Sequence, residues 1–282
     1  MIIIEYLIIL LLATFFLYFF TRNNHKLGTF FHVLDLPKKG KLHENTTPLI
    51  GSFPFFIISI SLLIYFNVIF YNKIFFYIFL YSYIFFFIGY IDDRYSLNAY
   101  LKLGISLIIV LIALNSFEPL TISNIYIKTF NKYFYLGEFR IFFSTLCILL
   151  LMNALNLTDG INGLASGFAS FWLLSLALIS DDEIVFKILI LLSIFSLINT
   201  FIILKGKYFL GDSGTLFLGS LIGILTIFVY NNQLNLGNSI SVEKIFIFFM
   251  IPGIDMFRLF LTRLLKKKTL SKEILIICTT LC

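Results

Sequence analysis

The sequence predicts an all-α polytopic membrane protein, a helical bundle of about nine transmembrane segments, and three observations carry that expectation. Of its 282 residues 60% are hydrophobic and only 13% charged, with a mean hydropathy of +0.99, far outside the make-up of a soluble domain. Apolar stretches near the length of about 20 residues that a helix needs to cross a bilayer core recur along the chain. Those stretches contain Gly, Ser and Asn and show no period-two alternation, so helices that satisfy their own backbone in lipid are favoured over a barrel. No repeat, low-complexity linker or soluble domain interrupts them, and one transmembrane domain over 1–282 is expected.

The first span, 1–20, carries Glu5 but neither a basic n-region nor a small-residue cleavage site, and reads as a retained helix. The stretch LPKKGKLHENTTPLIGS, 36–52, brings Lys41 and His43 to the start of the second span, 49–70. A third span, 74–91, runs into GYIDDRYSLNAYLK, 89–102, where Asp92 and Asp93 close an apolar run. Adjacent carboxylates raise one another's pKa unless a cation sits nearby. The pair is therefore either a helix end dipping into water or a metal or phosphate site. Lys102, near the start of the fourth span, 101–115, can neutralise these acids or hold a phosphate. Loop 116–140, with Tyr and Phe among Lys and Glu, reads as an interfacial aromatic segment.

The fifth span, 141–157, leads through LLMNALNLTDGINGLASG, 150–167, into the sixth, 161–180. Asn153, Asn156, Asp159 and Asn162 recur every third residue, so successive members are neighbours on a helix side. They either glue helices together or present amides that ligate a metal and bind a sugar or base, with Gly160 and Gly163 letting the backbone turn or approach a ligand. Asp181, Asp182 and Glu183 look like a solvated turn before the seventh span, 184–204. KGKYFLGDSGTLFLGS, 205–220, then places Asp212 between Gly211 and Gly214 ahead of the eighth span, 215–231, where Asp212 or Ser213 could cap the helix. The ninth span, 242–264, contains IPGIDMFRLFLTRLLKKK with Pro252, Asp255 and Arg258. Cys147, Cys278 and Cys282 have no metal or disulfide spacing.

With nine spans the connections alternate between two faces, and most of the 21 Lys and Arg residues fall on one. That face is expected to be cytoplasmic, with the N-terminus outside. Topology and anionic headgroups account for the net charge of +6 and make nucleic acid an unnecessary partner. The same face collects Asp92, Asp93, Asp159 and Asp212, which topology does not require. Acid-bearing loops beside lysines at one membrane surface have the composition of a Mg²⁺-diphosphate site.

In this order and spacing the stretches resemble the polyprenyl-phosphate N-acetylhexosamine-1-phosphate transferases, the membrane-type family 4 glycosyltransferases. These include undecaprenyl-phosphate GlcNAc-1-phosphate transferases and phospho-MurNAc-pentapeptide translocase. The resemblance runs from about Leu36 to Arg263, rests most on NALNLTDGINGLASG and FLGDSGTLFLGS, and the Pro252–Asp255–Arg258 stretch looks like the branch using simple UDP-sugars. It implies a Mg²⁺-dependent transfer of a sugar 1-phosphate from a UDP-sugar to polyprenyl phosphate with release of UMP, initiating cell-envelope polysaccharide synthesis at a bacterial inner membrane. Position by position, it makes Asp212 the leading Mg²⁺ ligand and Asn156 the second, with Mn²⁺ an alternative ion. Lys102 would hold the diphosphate, Asp92 deprotonate or orient the lipid phosphate, and Asp93 help organise the metal shell. Asn153, Asp159 and Asn162 would line the nucleotide and sugar pocket, and Lys41, His43 and Asp255 would add substrate contacts. The implied partners are the UDP-sugar, the polyprenyl phosphate and membrane lipids, with homodimerisation left open, as is the choice between direct attack and a phosphorylated Asp.

Three departures accompany the resemblance. Ser96 stands where the family pattern often has Asp or Asn, and Asn162 where many bacterial members have Asp. Past Lys268 the family continues into a loop with a basic motif and further spans, whereas here an apolar stretch too short to cross a bilayer, 274–282, follows. A frameshift or truncation that removes the C-terminal part of the family fold, leaving 269–282 as an atypical tail, is the expectation. Two rival readings remain at this level, a transporter or flippase and a non-catalytic assembly subunit.

Overall fold

The computed structural model describes residues 2–36, 46–70, 73–235 and 240–265; Lys41, His43 and the tail from 266 onward lie outside the described residues. Among these are ten α-helices: α1 (Ile2–Arg22), α2 (Asn24–Phe31), α3 (Ser52–Phe70), α4 (Lys73–Tyr95), α5 (Ala99–Ser116), α6 (Arg140–Thr158), α7 (Leu164–Ile179), α8 (Glu183–Leu204), α9 (Gly211–Asn235) and α10 (Val242–Leu265). Among the described residues five stretches are long and apolar enough to cross a membrane: Lys73–Tyr95, Ala99–Ser116, Gly137–Thr158, Glu183–Leu204 and Gly211–Leu234. The apolar helical stretches Ile9–Arg22, Ser52–Tyr65 and Leu164–Ile179 are shorter. The chain is a membrane protein built mostly of helices.

α9 is the centre. It is apolar all round, and Leu216 through Tyr230 lie buried almost without interruption, as expected of a helix with no polar face. α4 and α6 flank it closely, and α7 packs on α8. Buried hydroxyls join the second pair: Ser170 Oγ of α7 and Ser196 Oγ of α8 lie within hydrogen-bond distance at 2.9 Å. Aromatic rings fill the space between α3, α4 and α9, with Phe56 stacked on Phe86 at 4.1 Å and edge-on to Phe217.

Two parts of the chain differ from the sequence expectation. Between the first two spans lies α2, whose eight residues are too few to register as a separate apolar segment; a short pairing of β1 (Leu34–Asp35) with β2 (Thr47–Pro48) follows it. The aromatic loop folds as an antiparallel hairpin of β3 (Asn124–Ile127) and β4 (Lys132–Tyr135), with Asn131 at φ +49° in its turn. Tyr126 packs across the strands against Tyr133, ring centroids 4.7 Å apart, and Tyr126 alone of β3 is buried, so alternation is present over four residues only. Tyr230 of α9 anchors the hairpin, accepting from the Tyr126 N–H and donating to the Asn124 carbonyl. Glu243 of α10 accepts from the backbone N–H groups of Lys128 and Thr129.

The hairpin, the end of α9 and the start of α10 thus mark one end of the bundle. Asp182, expected to be only solvated, caps α8 near that end by accepting from the N–H groups of Ile184 and Val185. The ends of α4, α6 and α8 and the starts of α3, α5, α7 and α9 meet at the other.

Candidate functional site

α4 ends in a tight turn at Ser96, whose φ of +51° reverses the chain, and α5 starts at once behind the Asn98 cap, whose side chain accepts from the Tyr100 N–H. Asp92 binds both sides of this turn. Its Oδ1 accepts from the Leu97 N–H at 2.7 Å and its Oδ2 from Lys102 Nζ at 2.6 Å. At 6% exposure the carboxylate is deep enough that only such pairing lets it stay ionised.

Asp93 turns a different way. On an α-helix adjacent side chains diverge by about 100°, and Asp93 reaches α9, where Oδ1 accepts from the Asp212 N–H at 2.7 Å and Oδ2 from the Ser213 N–H at 3.0 Å. Two glycines permit this approach. Gly211 takes φ +75°, and a Cβ there would lie 2.8 Å from Asp93 Oδ2; a Cβ on Gly89 would run into the Asp212 carbonyl and Ser213 Cα. The cap of α9 is therefore Asp93 of α4, in place of Asp212 or Ser213. The reason is packing: Ser213 Oγ is engaged with Ser52 Oγ at 2.7 Å, and the Asp212 side chain points to other partners.

Asp212 Oδ1 accepts from Asn156 Nδ2 at 2.6 Å, and its Oδ2 lies 3.4 Å from Lys102 Nζ. Asn156 also donates to Thr215 Oγ1 at 2.9 Å. α4, α5, α6 and α9 thus each place a polar side chain in one cluster. Asp159 stands beside it at the end of α6, partly buried. Burial, joined by the Asp212 and Asp93 carboxylates, holds its carboxyl well above the usual range, against the opposing pull of the Gly211 N–H.

Other expected site residues stand apart. Asn153 donates to the Leu149 carbonyl of its own helix at 2.7 Å, and Asn162 is exposed in the turn before α7. Asp255 pairs with Arg258 one turn along α10 at 2.6 Å, on an exposed face. Lys41 and His43 fall outside the described residues. Residues the sequence reading passed over complete the frame. Asn199 of α8, 2% exposed, donates to the Gly51 carbonyl at 2.7 Å and accepts from Tyr208 Oη at 2.7 Å, tying the segment before α9 to the start of α3. A lone Asn in an otherwise apolar run, as at position 199, is the signal that could have found it.

Among the described residues no three His, Cys, Asp or Glu side chains converge on a self-contained metal cage. A small hard cation does not need one, since it keeps waters and takes substrate phosphate oxygens alongside one or two protein ligands. Asp212 with the Asn156 amide, which can present oxygen after a flip, is a donor set of that kind and fits Mg²⁺ or Mn²⁺.

The sequence profile of glycosyl transferase family 4 matches residues 75–230, which include the whole cluster. The chain is similar, at 28% identity over 84% of its length and 66% of the relative's, to a probable undecaprenyl-phosphate N-acetylglucosaminyl 1-phosphate transferase of Bacillus subtilis (strain 168). It is 24% identical to the undecaprenyl-phosphate alpha-N-acetylglucosaminyl 1-phosphate transferase of Escherichia coli O157:H7, over 75% of this chain and 58% of that one. A phospho-N-acetylmuramoyl-pentapeptide-transferase of Streptococcus uberis (strain ATCC BAA-854 / 0140J) is 28% identical over 67% of this chain and 61% of its own. The chain thus spans about three-fifths to two-thirds of the length of these relatives.

Proposed function

The chain belongs to glycosyl transferase family 4, and from that membership we propose that it transfers a sugar 1-phosphate, of the N-acetylhexosamine type, from a UDP-sugar to a polyprenyl phosphate. An oxygen of the acceptor phosphate bonds to the sugar-bearing phosphorus, the bridging P–O bond of the diphosphate breaks, and UMP leaves. One observation carries the reading: Asp92, Lys102, Asn156 and Asp212, contributed by four helices, form one hydrogen-bonded cluster at one end of the bundle. A transporter or flippase reading gains nothing from a cluster placed at helix ends.

Both reactants are anionic where they meet, so charge repulsion is a large part of the barrier. Asp212 and Asn156 would hold Mg²⁺, which when bound supplies neutralisation of the diphosphate and of the leaving UMP. Lys102 adds a fixed positive charge beside it. Asp92 aims that ammonium and, at 2.6 Å from it, is placed to orient the acceptor phosphate or take its proton. Asp159 would face the nucleotide and sugar, and Asn153, Asn162 and Asp255, which stand apart from the cluster, would reach them only at its margin. The acceptor's chain must stay in lipid while its phosphate reaches water. An apolar cavity of about 600 Å³ between α6, α9 and α10, lined by Cys147, Leu151, Ala154, Gly223, Phe249 and Gly253, offers that chain a lodging.

The finer topology belongs to the same proposal: nine crossings of a bacterial inner membrane, the N-terminus outside and the cluster on the cytoplasmic, lysine-rich face. The test is UMP release by purified protein given polyprenyl phosphate, Mg²⁺ and a panel of UDP-sugars. Turnover is expected with at least one of them and its loss on chelation. UMP formation by none, or undiminished in EDTA, would contradict the reading.

A further inference from the structure

We propose that Asp93 is a positioning residue, which caps the first turn of α9 and thereby fixes where Asp212 presents its side chain. The consequence for turnover rests on the transfer proposed above; the cap itself does not.

α9 needs such a cap from outside its own sequence. The first N–H groups of a helix have no partners within it, and a side-chain oxygen of the preceding residue is their usual local acceptor. Here that residue is Leu210, which has none. Asp93 supplies both acceptor oxygens at once, 2.7 Å from the Asp212 N–H and 3.0 Å from the Ser213 N–H. The contact is built on both sides. On α4, Gly89 lies one turn before Asp93 on the same face, and its missing side chain lets the helix approach the Asp212 carbonyl; on α9, Gly211 at φ +75° leaves the space the carboxylate occupies.

Adjacent acids therefore divide the work. Asp92 faces Lys102 across the turn into α5, while Asp93 faces the backbone of α9. With the Asp212 N–H pinned, its side chain meets Asn156, Lys102 and the Asp92 carboxyl.

The test uses the full chain in lipid nanodiscs, first stripped of metal with EDTA, as wild type, Asp93→Asn, Asp93→Ala and Asp212→Asn. Backbone amide exchange is read over 208–216, Mn²⁺ binding by electron paramagnetic resonance, and UMP release after Mg²⁺ is restored. Loss of a helix cap corresponds to about fivefold faster exchange. That acceleration is expected at the Asp212 and Ser213 amides of metal-free Asp93→Ala and, to a smaller degree, Asp93→Asn, which keeps one acceptor oxygen. Asp212→Asn should leave those amides slow while losing more Mn²⁺ affinity than Asp93→Asn. In turnover, Asp93→Asn should lower kcat with KM for the UDP-sugar held, and recover part of what Asp93→Ala loses. If Asp93→Ala does not fold, Asp93→Asn carries the comparison. Unchanged exchange in the metal-free Asp93 variants, with Mn²⁺ affinity lost as fully as in Asp212→Asn, would make Asp93 a metal ligand and overturn the proposal. A wild type that releases no UMP would defeat the transfer reading and still leave the exchange result to judge the cap.

Discussion

Lys102 stands between two carboxylates, 2.6 Å from Asp92 and 3.4 Å from Asp212, so a substitution there acts twice. Lys102→Met removes the fixed charge offered to the diphosphate, and UMP release should fall by about 10²-fold, the usual cost of deleting one preorganised electrostatic contact. It also strands Asp92, whose side chain is only 5% exposed, and should lower stability by about 2–3 kcal/mol, read as a shift in thermal unfolding. The double variant Lys102→Met, Asp92→Asn should regain much of that stability and none of the turnover. This pairing was legible in the sequence, because Asp92 and Lys102 lie ten residues apart across one turn. The partner of Asp93 was not: it is a backbone N–H 119 residues away, and a main-chain donor carries no residue-type signal.

At the scale of elements, the closeness of α4 and α9 rests on Gly89. Gly89→Ala forces a methyl group against the Asp212 carbonyl and Ser213 Cα, and overpacking of this kind costs about 1–3 kcal/mol. A lowered melting temperature is expected together with weaker Mn²⁺ binding, since the start of α9 carries Asp212. The opposite sign is expected at Ser96, where a non-glycine residue at φ +51° is strained. Ser96→Gly should raise stability by about 0.5 kcal/mol, the relief of that strain less the added freedom of the unfolded chain. The apolar helices were legible from composition and run length, while α2 and the hairpin were not. Eight residues of α2 and four of β3 are too few for periodicity to show, and the hairpin is held by tertiary contacts to Tyr230 and Glu243. Asn199 illustrates the same limit, since its value lies in Gly51 and Tyr208, which only folding brings to it.

For the whole molecule, alternation of the helices gathers the chemistry at one end and the aromatic hairpin at the other. Single cysteines at Ser96, Gly206 or Lys132, all exposed, on a background with Cys147, Cys278 and Cys282 changed to Ser, test that polarity in sealed vesicles. A membrane-impermeant maleimide should reach 96 and 206 from the same side and 132 from the other. The charge asymmetry of the sequence anticipates this arrangement, but it says nothing of depth or of which acids touch. Those follow from α9 being buried along its length, which fixes α4 and α6 on either side of Asp212. The central claim is that α4, α5, α6 and α9 together make one reaction centre. The most direct measurement is UMP release from a UDP-sugar with polyprenyl phosphate and Mg²⁺, by wild type and by Lys102→Met, Asn156→Leu and Asp212→Ala side by side. The account predicts that every one of the three variants falls by about 10²-fold or more; wild-type turnover in any of them, measured in folded protein, would contradict it.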